Sequence, residues 1–338
     1  DREARGYTFS YDMLGEAAMT AADAQRYFVA YEAAIHSIGR AANGRGVVAG
    51  PGISMKLSAL HPRFCRAQRE RVMTELTPKL VMLARLAKGY DIGLAIDAEE
   101  ADRLDLSLDL LERLAADPAL ADWDGLGFVV QCYQKRARPT IDWIVALARQ
   151  HKRRLMLRLV KGAYWDAEIK RAEVDGLPGY PVFTRKVHTD VAYLACAKAM
   201  FAAPDAIYSQ FASHNAFTIA AVHEQGGDAQ YEFQCLHGMG ESIYDEVVGK
   251  AKLDRANRIV DPTVPISSLV ADPVVVAEAR GGRPHAGIPL PVALLPGRRN
   301  SQGVDLSDDR ELAALGTAME QWQETGQAQS RPTQSESA

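Results

Sequence analysis

The sequence predicts an α/β protein folded as a (βα)8 barrel of the TIM type, and three observations carry the prediction. Seven strand-like segments are each followed by a helix-like one, the order that builds a parallel sheet covered by helices. Seven such repeats in one chain favour a barrel over an open doubly wound sheet. No Gly-x-Gly-x-x-Gly turn follows any strand, which argues against a Rossmann domain.

The first strand is Gly6 to Asp12, rich in strand formers. Thr20-Ala-Ala-Asp23 opens a helix whose apolar positions run from Tyr27 to Ile38 at helical spacing. Ile53 to Ser58 is the second strand, with Val72, Leu76, Leu80, Leu83 and Leu86 on its helix. Ile92 to Asp97 is the third, with Leu104, Leu108, Leu111 and Leu114 following. Leu126 to Gln131 is the fourth, followed by Ile141, Ile144, Val145 and Ala148 on a helix. The fifth lies in Arg154 to Trp165, where Leu155, Leu157 and Leu159 alternate with Met156, Arg158 and Val160. The pattern then loosens: Asp175 to Pro181 reads as an insertion, before Thr184-Arg-Lys186 and a helix through Val191, Leu194 and Ala199. Ala206 to Ala212 is the sixth strand, with Ser213-His-Asn215 starting its helix, and Tyr231 to Leu236 is the seventh.

An eighth strand and helix should follow Lys250, but the chain offers only Ala251 to Val260 and then Pro262 and Pro265. That is too little for a strand plus a helix, so the eighth unit reads as missing and the first and seventh strands as open edges. The barrel is therefore assigned to residues 1–280. Residues 281–338 read as a Pro/Gly-rich connector, with a short helical pattern from Glu311 to Met319, and a tail of disordered composition.

Composition narrows the function. Hydrophobic residues make up 47% and charged residues 24%, a globular balance, and a net charge of -4 leaves no footprint for nucleic acid. No apolar run is long enough for a membrane span, although peripheral contact stays open. The cysteines, Cys65, Cys132, Cys196 and Cys235, and the eight histidines lack metal-ligand spacing, so no metal is expected and the thiols read as reduced and mostly buried.

Arg158 breaks an otherwise apolar strand, and a buried guanidinium must find acidic or phosphate partners. Gly162 beyond it allows close approach of a ligand to the backbone. In a barrel the strand ends converge on one mouth, which here collects Asp12, Lys56, Asp97, Gln131, Arg158, Lys161, Tyr164, Ser213, His214, Asn215, Gln234 and Cys235. So many polar groups are costly to bury unless a polar ligand or water satisfies them. Lys56, Arg158, Lys161 and Lys186 suit phosphate or an anionic ring, and Gln131 and Gln234 suit a planar heterocycle. Two strand-end lysines also suit a Schiff-base lyase or aldolase, and the residues alone do not choose.

Four stretches, Ile53 to Pro62, Ile96 to Glu100, Arg158 to Trp165 and Gln234 to Glu241, resemble the proline dehydrogenase family. Within it they are similar to the dehydrogenase module of the bacterial bifunctional proline utilization flavoenzymes, over roughly Gly6 to Lys250 and again near Asn257. The resemblance implies a distorted barrel holding FAD noncovalently. It implies oxidation of L-proline to Δ1-pyrroline-5-carboxylate, with a membrane quinone taking the electrons, in a cytoplasmic protein with peripheral contact at the inner membrane.

Residue by residue, the resemblance makes Lys56 and Asp97 substrate-pocket residues, with Ala163, Tyr164 and Leu236 around the proline ring and Glu16 a gating acid. It places Arg158 beside the reactive flavin nitrogen and Gln131 near the ring. Val160, Lys161, Gly162 and Ala163 become flavin contacts. Thr184, Arg185, Lys186, Ser213, His214 and Asn215 surround the ribityl, pyrophosphate and adenine, and Gln234 and Cys235 complete the shell.

Two departures stand out. The family's eighth strand is followed by a helix with paired arginines that hold the substrate carboxylate, and none lies between Gly249 and Pro262. Arg298-Arg299 stands instead in a Pro/Gly loop. Neither a DNA-binding nor an aldehyde dehydrogenase domain accompanies the barrel, and Asn300 to Leu306 resembles the connector into the latter, so the chain reads as a fragment. A Schiff-base lyase and a cofactor-binding barrel without turnover remain as alternatives.

Overall fold

The computed structural model describes residues 7–13, 17–237, 239–240, 242–244 and 256–261. Eight parallel strands form a closed ring: β1 (Tyr7–Asp12), β2 (Gly52–Met55), β3 (Gly93–Ile96), β4 (Leu126–Gln131), β5 (Leu155–Val160), β6 (Ile207–Ala212), β7 (Tyr231–Leu236) and β8 (Ala256–Asp261). The α/β barrel predicted from the sequence is therefore the fold.

The eighth position corrects one expectation. Ala256–Asp261 pairs with both β1 and β7, so the open edges expected on those strands do not exist. Any helix after β8, the Glu311 to Met319 pattern and the boundary at residue 280 lie outside the described residues.

Strand alternation sorts the ring into two faces. Leu155, Leu157 and Leu159 of β5 point outward to the helices, as do Ile53, Met55, Leu94, Ile96, Phe128 and Phe233 on other strands, and all belong to the buried apolar layer. The opposite residues line the barrel interior. On β2 to β4 these are small, with Gly52, Gly93, Ala95 and Gly127 at successive register positions. A Cβ added at Gly93 would come 3.2 Å from the Met156 sulfur, so the small residues make room for the long side chains of β5 and β6.

Helices pack outside in the expected order. Ala21–Ala42 starts at a capping box in which the Thr20 hydroxyl accepts from the Asp23 N–H at 3.1 Å and the Asp23 carboxylate accepts from the Thr20 N–H at 2.8 Å. Arg69–Gly89, Leu104–Ala116, Ala137–Gln150, Lys186–Phe201 and Ala216–Gly226 follow β2, β3, β4, β5 and β6. Two local differences concern the site. β2 stops at Met55, where the Lys56 N–H donates to the Tyr31 hydroxyl at 3.1 Å, and Leu57–Leu60 turns helical instead of continuing the strand. An unpredicted helix, Trp165–Val174, leaves β5; it buries only Glu168 and Ala172, too little for an apolar periodicity.

Candidate active site

The strand ends do converge, and they sort into four groups. The first is a ladder of alternating charge. Lys56 Nζ donates to both Asp12 oxygens at 3.1 and 3.0 Å and to Asp97 Oδ2 at 3.2 Å. The guanidinium of Arg158 reaches Asp97 Oδ1 at 3.0 Å, and its Nη2 donates to the hydroxyls of Ser10 and Ser54 at 3.2 and 2.9 Å. Two anions and two cations cancel. Burial pushes the Asp12 carboxyl up to about 6, against the pull of Lys56 and with the help of Asp97.

The second group ties two loops. Gln131 donates from Nε2 to the Glu99 carbonyl at 2.8 Å and accepts the Ala163 N–H on Oε1 at 3.2 Å. Its amide is thus a strap between the loops after β3 and β5. Gly162 has φ +138, and a Cβ there would overlap the Tyr133 ring. The Cβ side of Gly162 is therefore filled by Tyr133, whose N–H also bonds the Lys161 carbonyl at 2.7 Å. The insertion at residues 175–181 docks on the same place through a bridge between Val182 and Gln134.

The third group is cationic. Lys161 and Lys186 each donate to one oxygen of Asp190, both at 2.6 Å, leaving one positive charge over. Burial, followed by the neighbouring Lys186, lowers the Lys161 ammonium below its usual range. Thr184 and Arg185 are exposed just ahead of the Lys186–Phe201 helix.

The fourth group joins β6 and β7. Glu232, fully buried, accepts from Tyr208 OH at 3.1 Å, from Gln210 Nε2 at 2.9 Å and from Gln234 Nε2 at 2.6 Å. Nearby, Asn215 caps the following helix by accepting from the Thr218 N–H at 2.9 Å, and the Ser213 hydroxyl accepts from the Asn215 N–H at 3.2 Å. The His214 Nε2 accepts the Leu236 N–H at 2.9 Å, which places its proton on Nδ1, and burial pushes its pKa down to about 4. His214 is a neutral backbone anchor.

Cys235 is a correction. It alternates with Gln234 and faces the apolar layer beside Phe233, away from the barrel interior. Val160 and Leu236 are half-buried at the ends of β5 and β7, Tyr164 sits at the start of the Trp165–Val174 helix, and Glu16 lies outside the described residues. Among the described residues no group of His, Cys, Asp or Glu could hold a metal ion. Nor is any described helix long and apolar enough to cross a membrane.

Sequence reasoning missed Ser10, Ser54, Tyr133, Asp190, Tyr208, Gln210 and Glu232. The signal for several was present: Gln210 and Glu232 hold register positions beside Arg158 on the same face, and Glu232 interrupts an apolar strand as Arg158 does. Asp190 stands four residues after Lys186, one helical turn away.

Two buried polar atoms of the interior have no hydrogen-bond partner among the described residues: the donor Arg158 Nε and the acceptor Gln234 Oε1. Leaving such groups unpaired costs about 1–3 kcal/mol each, so they mark where a ligand carrying both an acceptor and a donor would fit. A flavin ring has both, and the Lys161–Lys186 pair suits its phosphates. The residues present therefore fit FAD.

Comparison with known proteins gives the family. Residues 1–271 match the family model described as proline dehydrogenase. The chain is 54% identical to the bifunctional protein PutA of Salmonella typhimurium, over 95% of this chain and 28% of that protein. It is 51% identical to that of Rhizobium meliloti, over 94% of this chain and 29% of that protein. The chain thus spans under a third of the length of these relatives. The Salmonella alignment runs over 371 positions, more than the 338 residues of this chain, so that relative carries residues with no counterpart here. Among solved structures, proline utilization A of Bradyrhizobium japonicum superposes with TM-score 0.73 at 48% identity, over 92% of this chain and 36% of that one. The Bdellovibrio bacteriovorus protein, inactivated by N-propargylglycine, gives 0.72 at 26% identity, over 77% of this chain and 28% of that one. With a family model matching most of its length and the barrel that its relatives share, the chain belongs to the proline dehydrogenase family.

Proposed function

We propose that this barrel, residues 1–280, binds FAD noncovalently and is built to oxidise L-proline to Δ1-pyrroline-5-carboxylate, with a membrane quinone as the electron acceptor. The observation that carries the reading is the pair of orphaned atoms, Arg158 Nε and Gln234 Oε1, inside a barrel of this family. Arg158, Gln131, Gln234 and the backbone from Val160 to Ala163 would hold the ring. Lys161, Lys186, Thr184, Arg185 and the Ser213 to Asn215 turn would hold the phosphates and nucleoside. Bound there, FAD supplies the two-electron acceptor for the C–H bond beside the substrate nitrogen.

The chain's own part is positioning and electrostatics. Asp97 fixes the guanidinium of Arg158, a cation suited to negative charge developing on the ring. Lys56 and Asp97, with Ala163, Tyr164 and Leu236, form the substrate pocket in this reading, and Glu16 gates it. Lys56 is matched by two carboxylates, so it offers a substrate carboxylate little net charge. An ammonium held this way is also a poor Schiff-base nucleophile, which needs a neutral amine. Lys161, whose pKa is lowered, keeps the lyase reading alive.

The bifunctional relatives suggest an aldehyde dehydrogenase module beyond this stretch, with residues 281–338 as connector and tail. A quinone acceptor implies a cytoplasmic protein touching the inner membrane. The visible spectrum of the purified protein tests the cofactor: a flavin spectrum with FAD in the acid-released supernatant is expected. FMN, or no flavin after reconstitution with FAD, overturns the assignment, and a lysine labelled by borohydride with substrate would favour the lyase.

A further inference from the structure

The interior beneath the mouth holds a carboxylate for which the proposed reaction has no use. Glu232 is fully buried, and its Oε1 receives two side-chain amides, Gln210 Nε2 at 2.9 Å and Gln234 Nε2 at 2.6 Å. A carboxylate oxygen accepts and does not donate, so the amide of Gln234 must turn its nitrogen toward Glu232. Its carbonyl oxygen then faces the other way, buried and without a partner among the described residues. Gln234 stands two residues nearer the mouth than Glu232 on the same strand face, so the oriented carbonyl lies on the ligand side of the network.

We propose that Glu232 is a positioning residue that fixes the amide of Gln234 so that its carbonyl oxygen accepts the imide N–H of the bound flavin. This rests on the reading of the site as a flavin site. An oxidised flavin ring carries one N–H, the imide, and its neighbouring ring carbonyls are acceptors. A Gln free to rotate could face a ring carbonyl with its nitrogen, and would then not select for the imide proton. A Glu232-locked Gln selects for it.

The experiment titrates the apo-protein with FAD and with 3-methyl-FAD, which lacks the imide N–H, following flavin fluorescence. The unaltered protein is expected to bind the methylated analogue about tenfold more weakly. Glu232→Gln, which can offer either end of its amide to Gln234, loses most of that discrimination. Glu232→Asp keeps an acceptor-only carboxylate and restores it in part. Tyr208→Phe removes a donor to Glu232 without touching the Gln234 contact and keeps the discrimination. If Glu232→Gln does not yield folded protein by circular dichroism, Gln234→Met carries the test, with discrimination lost while Glu232 stays in place. Equal binding of both flavins by the unaltered protein, or full discrimination in Glu232→Gln or Gln234→Met, overturns the proposal. Failure to bind FAD at all is a separate result that removes the flavin reading itself, and this proposal with it.

Discussion

The two sides of the barrel interior surround buried charge with different sets of groups. From β1 through β3 and across to β5, charge is met by charge, in the ladder Asp12, Lys56, Asp97, Arg158. Around β6 and β7, the carboxylate of Glu232 accepts from a phenol and two side-chain amides. The ladder is locally neutral, so its members are poorly placed to capture a charged ligand, although it fixes geometry well. The amide side leaves directional groups over, one of them an orphaned acceptor. Net charge attracts; oriented dipoles select. The cations that remain available to an anion lie elsewhere, on Lys161 and Lys186 with their single Asp190.

The comparison can be broken most severely at Asp97, the rung joining Lys56 to Arg158. Asp97→Ala strips Arg158 of its carboxylate while Lys56 keeps Asp12, leaving a buried guanidinium uncompensated, and is expected to destabilise the fold by about 3–5 kcal/mol. Urea unfolding measures it, and a loss below about 1 kcal/mol would mean the ladder is solvated and not structural.

The next largest effect concerns the substrate. No Arg-Arg pair stands between Gly249 and Pro262 and Lys56 is matched by two carboxylates, so in the proposed pocket a proline carboxylate has no bidentate partner among these residues. The shortfall is about 2–5 kcal/mol, or roughly 30- to 5000-fold in affinity. If the proposed FAD is bound, anaerobic mixing with proline should therefore bleach it very slowly. Rapid bleaching at millimolar proline, in a chain of confirmed mass, would show that another cation does the holding.

On the β6 and β7 side each donor should count for less. Tyr208→Phe removes a hydrogen bond to a buried carboxylate while keeping the ring, at an expected cost of about 1.5–3 kcal/mol. A cost as large as that at Asp97 would erase the distinction between the two sides.

The smallest effect is a matter of pH. Asp12 loses its proton near pH 6, so above that value the ladder has two anions and two cations and is neutral. Below it Asp12 is uncharged and the ladder carries one net positive charge. A ring carboxylate lacking the amine should bind about tenfold more tightly as pH falls from about 7 to about 5. Asp12→Asn should make that affinity high and flat across the range; a slope that survives the substitution assigns the titration to another group.

Much of this was legible in the sequence. The two-residue alternation in Leu155–Val160 placed Arg158 alone among apolar neighbours, and the structure puts it inside the ring with partners, as a buried guanidinium requires. Lys56, Asp97 and Arg158 were recognisable as strand-end charges and are now joined by direct contacts. The helix Trp165–Val174 was not legible because it covers little of the core, and Cys235 was misplaced because a strand end was treated as one point when its two faces differ by a single residue.

The sequence by itself determined the first seven strands and most of the helices that follow them, the alternation that sets Arg158 apart from its apolar neighbours, and the charge types gathered at the mouth, because these follow from local periodicity and residue chemistry. Only the tertiary structure decided who meets whom. That Asp97 serves two cations at once depends on the side chains of β2, β3 and β5 reaching one another across the barrel interior. That Ala256–Asp261 closes the ring depends on backbone pairing between segments far apart in the chain. Hydrogen bonds and ion pairs act over a few ångströms of space, and separation along the chain does not fix that distance.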